Sequence, residues 1–240
     1  MAVDDEGDIF WIAPRHGEFR RPVRTSCAAR GSNLQFYAIP RIIVSGRLLT
    51  YRTWRGYRRA HFPGASWAVE GDILHALPVK DCVSLITRDI YGDFDLSFHW
   101  RLPLGGNSGV FYHVSEELDA PWKSGPEMQL LDNAGHPDGQ VPETSCGALY
   151  ALEAPHDVPP CPPGLFNVAR VSVRGPRVEH WLNGVRVLGC DLEDERLRAK
   201  LAQTKFRDFP EFARAAEGHI VLQHHGTEAW FHNIRVELPD

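Results

Sequence analysis

The sequence predicts an all-β protein, a jelly-roll β-sandwich with one short helical insertion. From Trp67 onward, short runs of alternating apolar and polar residues follow one another, separated by turn residues such as glycine and asparagine. Alternation with a period of two places successive side chains on opposite faces of a strand. One stretch alone, residues 194–203, has convincing helical character. About a dozen short strands with one small helical segment are typical of this kind of sandwich.

The clearest strand spans residues 94–102, where aromatic and leucine side chains alternate strictly with polar ones. Such alternation predicts one face in the core and one polar face. The side chains expected in the core between two packed sheets are Phe94, Leu96, Phe98 and Trp100.

Similar but shorter patterns predict the other elements. The expected strands are 67–70, 72–75, 83–88, 108–114, 127–131, 166–174, 177–182, 185–188, 219–223 and 229–238. Asn183-Gly184 is a tight-turn dipeptide between two of these strands. The proline-rich stretch 154–164 is expected to be an irregular loop. A further turn of helix is expected at 210–216, ended by Gly218.

Length and composition predict one large domain with a short appendage. Residues 1–35 of the 240 lack periodic apolar character, which predicts a poorly ordered N-terminal arm before a sandwich domain over 36–240. The net charge of -5 argues against a nucleic-acid partner. No apolar run approaches a membrane span of about 20 residues. A secretory signal is absent from the N-terminus, which predicts a cytoplasmic protein, or a periplasmic or secreted one if the true start lies elsewhere.

Polar side chains that share one strand face are the first candidates for a site. In SGPEMQLLDN, Met128 and Leu130 alternate with Glu127 and Gln129. Since the apolar pair should face the core, Glu127 and Gln129 should point outward, with Asp132 at the strand end. Solvated surface residues would give the same pattern, so both interpretations are open at this point.

Histidines supply the second set of candidates. In HIVLQHHG, Gln223 and His225 share a face, and His224 lies on the other. His180 alternates with its neighbours in VEHWLNG. An imidazole serves as base, acid or metal ligand near neutral pH, but a hydrogen-bonded core histidine is the alternative for each of these residues.

Two further motifs resemble functional sites of other kinds, a phosphate-binding loop and a nucleophilic cysteine. GGNSGVF leads into a strand and has no following lysine, so it is a sharp turn that presents Asn107 and Ser108 rather than a phosphate-binding loop. Cys146 can be read as a nucleophile, but a small buried thiol is the favoured interpretation.

These motifs, in their order, resemble the 3-keto-disaccharide hydrolase family, whose domains are also described as 3-keto-glucoside 1,2-lyase or 3-keto-2-hydroxyglucal hydratase domains. The resemblance covers residues 67–238 through YGDFDLSFHWRLPLGGNSGVFYH, SGPEMQLLDNAGHPDG, CGALYAL, VEHWLNGV, KFRDFPEF and GHIVLQHHGTEAWFHNIRV. It implies a concanavalin-like jelly roll with its site on the concave sheet, and chemistry on glycosides oxidised to a ketone at C3. One departure is His224, where the family usually has aspartate.

The resemblance also implies roles for individual residues. A C3 ketone acidifies the C2 proton, so cleavage needs a base, an oxyanion stabiliser and a donor for the leaving oxygen. The residues expected to move protons are Glu127 and His225. The residues expected to bind the substrate are Arg101, Asn107, Gln129, Asp132, His180 and Gln223. A divalent metal is implied for some relatives, with Glu127, His180 and His225 as candidate ligands here.

A non-catalytic, lectin-like carbohydrate-binding module is the alternative function, because the same fold serves both. An enzyme should bring Glu127 and His225 into one cleft. A lectin should present a flatter aromatic surface without titratable groups of shifted pKa. A carbohydrate is the expected partner under either interpretation.

Overall fold

The computed structural model describes residues 46–159 and 161–239, together with two short strands near the N-terminus, β1 (Ala2–Val3) and β2 (Ile9–Phe10). The chain divides into two compact units, residues 1–37 and 38–240. In the first unit β1 and β2 pair antiparallel. The rest of the expected arm, residues 1–35, lies outside the described residues.

The second unit consists of two antiparallel sheets. Its strands are β3 (Arg47–Leu48), β4 (Trp54–Gly56), β5 (Trp67–Glu70), β6 (Ile73–Ala76), β7 (Leu85–Thr87), β8 (Phe94–Arg101), β9 (Asn107–Val114), β10 (Glu127–Leu131), β11 (Asn167–Arg174), β12 (Arg177–Leu182), β13 (Val185–Asp191), β14 (His219–Leu222) and β15 (Ala229–Glu237). The five-stranded sheet has the order β10-β9-β14-β7-β4. The eight-stranded sheet has the order β13-β12-β11-β8-β15-β6-β5, with β3 paired to β15.

The core lies between the two sheets, as the alternation predicts. In β8 the four side chains expected inside are at most 2% exposed. They pack in one cluster with residues of the other sheet such as Val110, Tyr112 and Met128. Burying this much apolar surface is the main stabilising contribution to such a domain. The predicted sandwich is therefore confirmed.

The outer face of the five-stranded sheet is covered as well. Every residue of β9 and β10 is buried, on both faces of the strand. Met128 and Leu130 belong to the main core, so Glu127 and Gln129 lie on the opposite face, beneath loops. A polar strand face that loops cover on the outside is where a cleft can form.

The helical prediction is right at one place and wrong at another. Helix α1 (Glu195–Leu201) begins after Asp194, whose side chain accepts hydrogen bonds from the backbone N–H of Arg196 and Leu197. At 210–216 the chain forms turns instead of helix, because Ala213 has a φ of 54°, outside the helical range. A 3-10 helix, Lys205–Asp208, lies just before them. No helix among the described residues is long and apolar enough to cross a membrane.

Candidate active site

A cleft of about 300 Å³ opens on the outer face of the five-stranded sheet. Strands β9 and β10 and the end of β14 form its floor, and loops carrying Trp122, Tyr150 and Lys205 form its walls. The structure brings most of the predicted site residues together. Those that line the cleft are Asn107, Glu127, Gln129, Gln223 and His225.

Gly109 makes room for the Glu127 carboxyl group. Residues 127 and 129 of β10 lie opposite Phe111 and Gly109 of β9. A Cβ atom on Gly109 would lie 2.8 Å from Cδ of Glu127 and would collide with its Oε1. The absence of a side chain at this position therefore lets the carboxyl group lie across the neighbouring strand.

The Glu127 carboxyl group is buried and incompletely hydrogen-bonded. The residue is 7% exposed, and Oε1 has no hydrogen-bond partner among the described residues. Burial raises the pKa of Glu127 to about 8, while the positive charge of Lys205 opposes this rise and the Asp138 carboxylate adds to it. At neutral pH this side chain is therefore mostly protonated and able to donate a proton.

Amide groups surround the carboxyl group. Gln129 donates from Nε2 to the Thr144 carbonyl oxygen at 3.3 Å, which fixes its orientation. Oδ1 of Asn107 and Oε1 of Gln223 are buried, and neither has a partner among the described residues. Because an unpaired buried oxygen is costly, both atoms are suited to accept hydrogen bonds from a bound molecule such as a sugar.

His225 stands at the exposed rim of the cleft, directly after the buried His224. Although the residue is exposed, partial desolvation of its ring against the cleft lowers the pKa of His225 below its ordinary value, and the nearby His136 lowers it further. The imidazole is therefore neutral at neutral pH and able to accept a proton. His224 packs edge-on against Trp67 at 5.7 Å between ring centroids.

Lys205 and aromatic rings form one wall. Its Nζ lies 4.6 Å from the centroid of the Trp122 ring and 4.9 Å from that of Tyr150. Burial lowers the pKa of Lys205, and the acidic side chains of Glu127 and Asp138 oppose this shift. The wall combines a cation with flat apolar surfaces of the kind that stack on sugars or aromatic groups.

His180 does not line the cleft, and the prediction that it binds substrate or metal there needs correction. It is fully buried in the core, where Nδ1 lies 3.0 Å from the Gly147 carbonyl oxygen and Nε2 lies 3.2 Å from the Tyr112 hydroxyl. Burial lowers the pKa of His180 to about 4. Val178 and Leu182, two residues away on either side and fully buried, share its face, so the alternative of a core histidine is the one that the structure shows.

Arg101 also lies elsewhere, on the outer face of the eight-stranded sheet. It follows the core residue Trp100 in β8, so its side chain points away from the core. Its guanidinium group lies between two rings, 4.0 Å from the centroid of Trp230 and 4.9 Å from that of Phe166. The predicted contact with a substrate in the cleft is therefore corrected, because the two sheets separate Arg101 from Glu127.

Asp132 supports the cleft from behind. Its Oδ2 accepts a hydrogen bond from the Gly105 backbone N–H at 2.8 Å, and Oδ1 accepts one from Ala134 at 3.3 Å. These bonds tie the turn before Asn107 to the loop that carries Asp138. Asp132 does not line the cleft, so its predicted contact with substrate is not seen, and its hydrogen bonds hold these two loops together.

Four polar or aromatic cleft residues outside the strands were not among the predicted site residues, namely Trp122, Asp138, Tyr150 and Lys205. All four lie in loops or 3-10 helices, which have no periodic pattern to indicate the direction of a side chain. The motif KFRDFPEF did offer a signal for Lys205, because a charged residue stands there among aromatic ones.

The expected metal has no evident ligand set. The described residues contain no group of three or more His, Cys, Asp or Glu side chains that could hold a metal ion. Of the three candidate ligands, His180 is in the core, and Glu127 and His225 remain in the cleft. These two residues alone do not make up the three-ligand set of a catalytic zinc site.

Comparison with known proteins finds similarity to one family and to one curated relative. The family of 3-keto-alpha-glucoside-1,2-lyase-like domains matches residues 45–237. A 3-keto-disaccharide hydrolase of Bacteroides thetaiotaomicron is 29% identical over 223 residues, which cover 80% of this chain and 76% of that protein.

Solved structures agree with the sequence match. A protein of Parabacteroides distasonis, assigned as a glycosyl hydrolase, superposes with a TM-score of 0.72 and 26% identity, covering 80% of this chain and 90% of its own. A second such protein of the same organism has a TM-score of 0.61 and 25% identity, covering 78% of this chain and 99% of its own. The match therefore extends over the sandwich and the cleft.

Proposed function

The chain belongs to the family of 3-keto-alpha-glucoside-1,2-lyase-like domains, and on that premise we propose that it cleaves glycosides whose sugar carries a ketone at C3. The reaction starts with removal of the C2 proton. It continues with elimination of the group bound at C1 and ends with addition of water. The related 3-keto-disaccharide hydrolase supports a carbohydrate substrate of this kind.

One observation carries the mechanism: two titratable groups of the same cleft have pKa values displaced in opposite directions. Burial raises the pKa of Glu127 to about 8, so its carboxyl group holds a proton at neutral pH. Burial lowers the pKa of His225, so its imidazole is free to take one. Two groups whose pKa values are displaced in opposite directions commonly act as the acid and the base of one reaction.

In the elimination, His225 takes the proton from C2, which the neighbouring ketone acidifies. The electron pair moves toward C3 and forms an enolate. As the enolate collapses, a double bond forms between C1 and C2, and the bond from C1 to the leaving oxygen breaks. The protonated Glu127 gives its proton to that oxygen. The products are an unsaturated 3-keto sugar and a free alcohol.

Water then reverses the same steps. Glu127, now a carboxylate, takes a proton from water as the oxygen bonds to C1, and the protonated His225 returns a proton to C2. The sum of the two halves is hydrolysis, and both side chains regain their starting states. The unpaired oxygens of Asn107 and Gln223 are suited to hold sugar hydroxyls during both halves.

A lectin-like binding module is the second candidate that the fold permits. A buried carboxyl oxygen without a hydrogen-bond partner destabilises the fold, and the binding of a sugar does not require such a group. Glu127 therefore favours the enzyme. Binding of an unmodified sugar without any turnover of 3-keto-glycosides would favour the lectin.

The test is cleavage of a 3-keto-glucoside in deuterium oxide. We expect the released sugar to carry deuterium at C2, as read by NMR or mass spectrometry, and the matching unmodified glucoside to be inert. Cleavage of the unmodified glucoside at a similar rate, or a product without deuterium, would contradict the elimination and indicate ordinary glycosidase chemistry with two carboxylates.

A further inference from the structure

Lys205 has an unusual position for a lysine at a cleft. It begins the 3-10 helix Lys205–Asp208, which Thr204 caps by accepting a hydrogen bond from the Phe206 backbone N–H. Its ammonium lies over three aromatic rings, 4.6 Å from the centroid of Trp122, 4.9 Å from that of Tyr150 and 5.4 Å from that of Phe206. Cation–π contacts of this kind hold a charge in place without neutralising it.

A second lysine on the same aromatic cluster shows what is special about the first. Lys123 lies 5.6 Å from the Trp122 centroid and 5.3 Å from that of Phe209, but its Nζ also pairs with Asp119 at 2.5 Å. Among the described residues, none forms an ion pair or hydrogen bond with Nζ of Lys205. Of these two cations, only Lys205 lines the cleft.

The acids of the cleft leave this charge without a direct partner. Glu127 and Asp138 line the cleft together with Lys205, but neither carboxyl group forms an ion pair or a hydrogen bond with its Nζ. The ammonium of Lys205 is therefore available to a negative charge on a bound molecule. The proposed reaction creates such a charge, because removal of the C2 proton places it on the C3 oxygen.

We propose that Lys205 is a catalytic residue, whose ammonium binds the C3 oxygen of the substrate and stabilises the enolate. This inference rests on the proposed function. It assigns to a side chain the electrophilic role for which the family resemblance suggests a divalent metal. The described residues offer no cluster of three or more metal-binding side chains, whereas the ammonium is already held in place by rings.

The experiment compares Lys205→Met, Lys205→Arg and Lys123→Met on a 3-keto-glucoside. Methionine keeps an unbranched apolar side chain and removes the charge, so Lys205→Met should lower kcat by about 10²–10³-fold, the usual loss for one oxyanion donor. KM should change much less, since the charge on oxygen forms only after binding. Lys205→Arg should recover part of kcat, and Lys123→Met should stay within about threefold of the parent.

Thermal melting of each variant and a chelator complete the design. If Lys205→Met melts like the parent and keeps kcat within about threefold, the inference is overturned. A parent activity that chelator abolishes and divalent metal restores also overturns it. These outcomes differ from failure of the proposed function, in which the parent itself does not cleave the 3-keto-glucoside or incorporates no deuterium at C2.

Discussion

The outer faces of the two sheets carry similar side chains but pair them differently. On the eight-stranded sheet, His75 contacts Glu70 at 2.8 Å and Glu228 at 3.1 Å. Asp95 on the same face accepts hydrogen bonds from Arg170 and Arg174. In the cleft of the five-stranded sheet, by contrast, Oε1 of Glu127, Oδ1 of Asn107 and Oε1 of Gln223 are buried without a partner among the described residues.

On these two outer faces, unmet hydrogen-bonding capacity distinguishes the cleft more clearly than polar composition does. The outer face of the eight-stranded sheet has two exceptions, Nε of Arg101 and Nε2 of His99, which also lack hydrogen-bond partners among the described residues. However, Arg101 lies between two rings, and His99 bonds through Nδ1 to His232 at 3.0 Å. In the cleft, by contrast, the unpaired atom of Glu127 belongs to a buried carboxyl group that is protonated at neutral pH.

The largest expected effect is that of Glu127→Gln on turnover. The amide keeps the size of the carboxyl group but cannot donate an acidic proton to the leaving oxygen. We expect kcat for a 3-keto-glucoside to fall by about 10²–10⁴-fold, with the same fold by circular dichroism. The matched control is Glu179→Gln on the other sheet, where Glu179 pairs with Arg186 at 3.0 Å. A control as slow as Glu127→Gln would remove the distinction between the two faces.

Gly109→Ala should have the next largest effect. The new methyl group would occupy the space of the Glu127 carboxyl and force it away from the neighbouring strand. Misplacing a catalytic group by about 1 Å can cost on the order of 10²-fold, so we expect kcat/KM to fall by about 10–100-fold. Gly64→Ala is the matched control, because a Cβ there meets no atom within 4 Å. Equal activity of Gly109→Ala and the parent would show that the position of Glu127 does not matter.

The pH dependence of kcat/KM should report both groups. Activity needs protonated Glu127, so it should fall by about tenfold per pH unit above about 8. It also needs neutral His225, whose pKa is lowered by burial, so the acid limb should begin below the ordinary histidine value of about 6.5. In Glu127→Gln the alkaline limb should disappear from the residual activity. An unchanged alkaline limb in that variant would assign it to another group.

The same carboxyl group should reduce stability. Burial raises the folded-state pKa of Glu127 from 4.5 to about 8. Between these values the folded protein holds a proton that the unfolded chain has released, so the free energy of unfolding declines as pH rises through this window. Glu127→Gln should remove the decline and stabilise the protein by a few kcal/mol near pH 8, but hardly at pH 4.5. Denaturant unfolding at several pH values measures this difference. A variant less stable than the parent at pH 8 would contradict it.

Much of the fold could be predicted because alternation encodes it directly. The pattern around Phe98 identified the buried face of β8, and Met128 with Leu130 correctly placed Glu127 on the outer face of β10. The assignment of strands to the two sheets could not be predicted in this way. Alternation shows which face of a strand is polar but not which sheet the strand joins. Arg101 was placed in the site by the family resemblance, and no strand pattern could show that it lies on the other sheet.

The candidate site could be predicted only as far as it is built on strands. Asn107, Gln129 and Gln223 follow from strand pattern and motif, and all three line the cleft. Tyr150 and Lys205 reach the cleft from irregular segments, whose geometry depends on tertiary contacts. The pKa of Glu127 likewise follows from burial by loops, which no local pattern reveals.

The smallest expected effect is that of Arg101→Met on activity. The resemblance to the family suggested Arg101 as a substrate-binding residue, but the sandwich places it behind the cleft, stacked between Trp230 and Phe166. Methionine can fill the space between those rings, so the local packing is largely kept. We expect kcat and KM for a 3-keto-glucoside to stay within about threefold of the parent, with a small decrease in Tm from lost cation–π contacts. A large increase in KM at unchanged Tm would mean that substrate reaches this face, and the two faces would then share the function instead of dividing it.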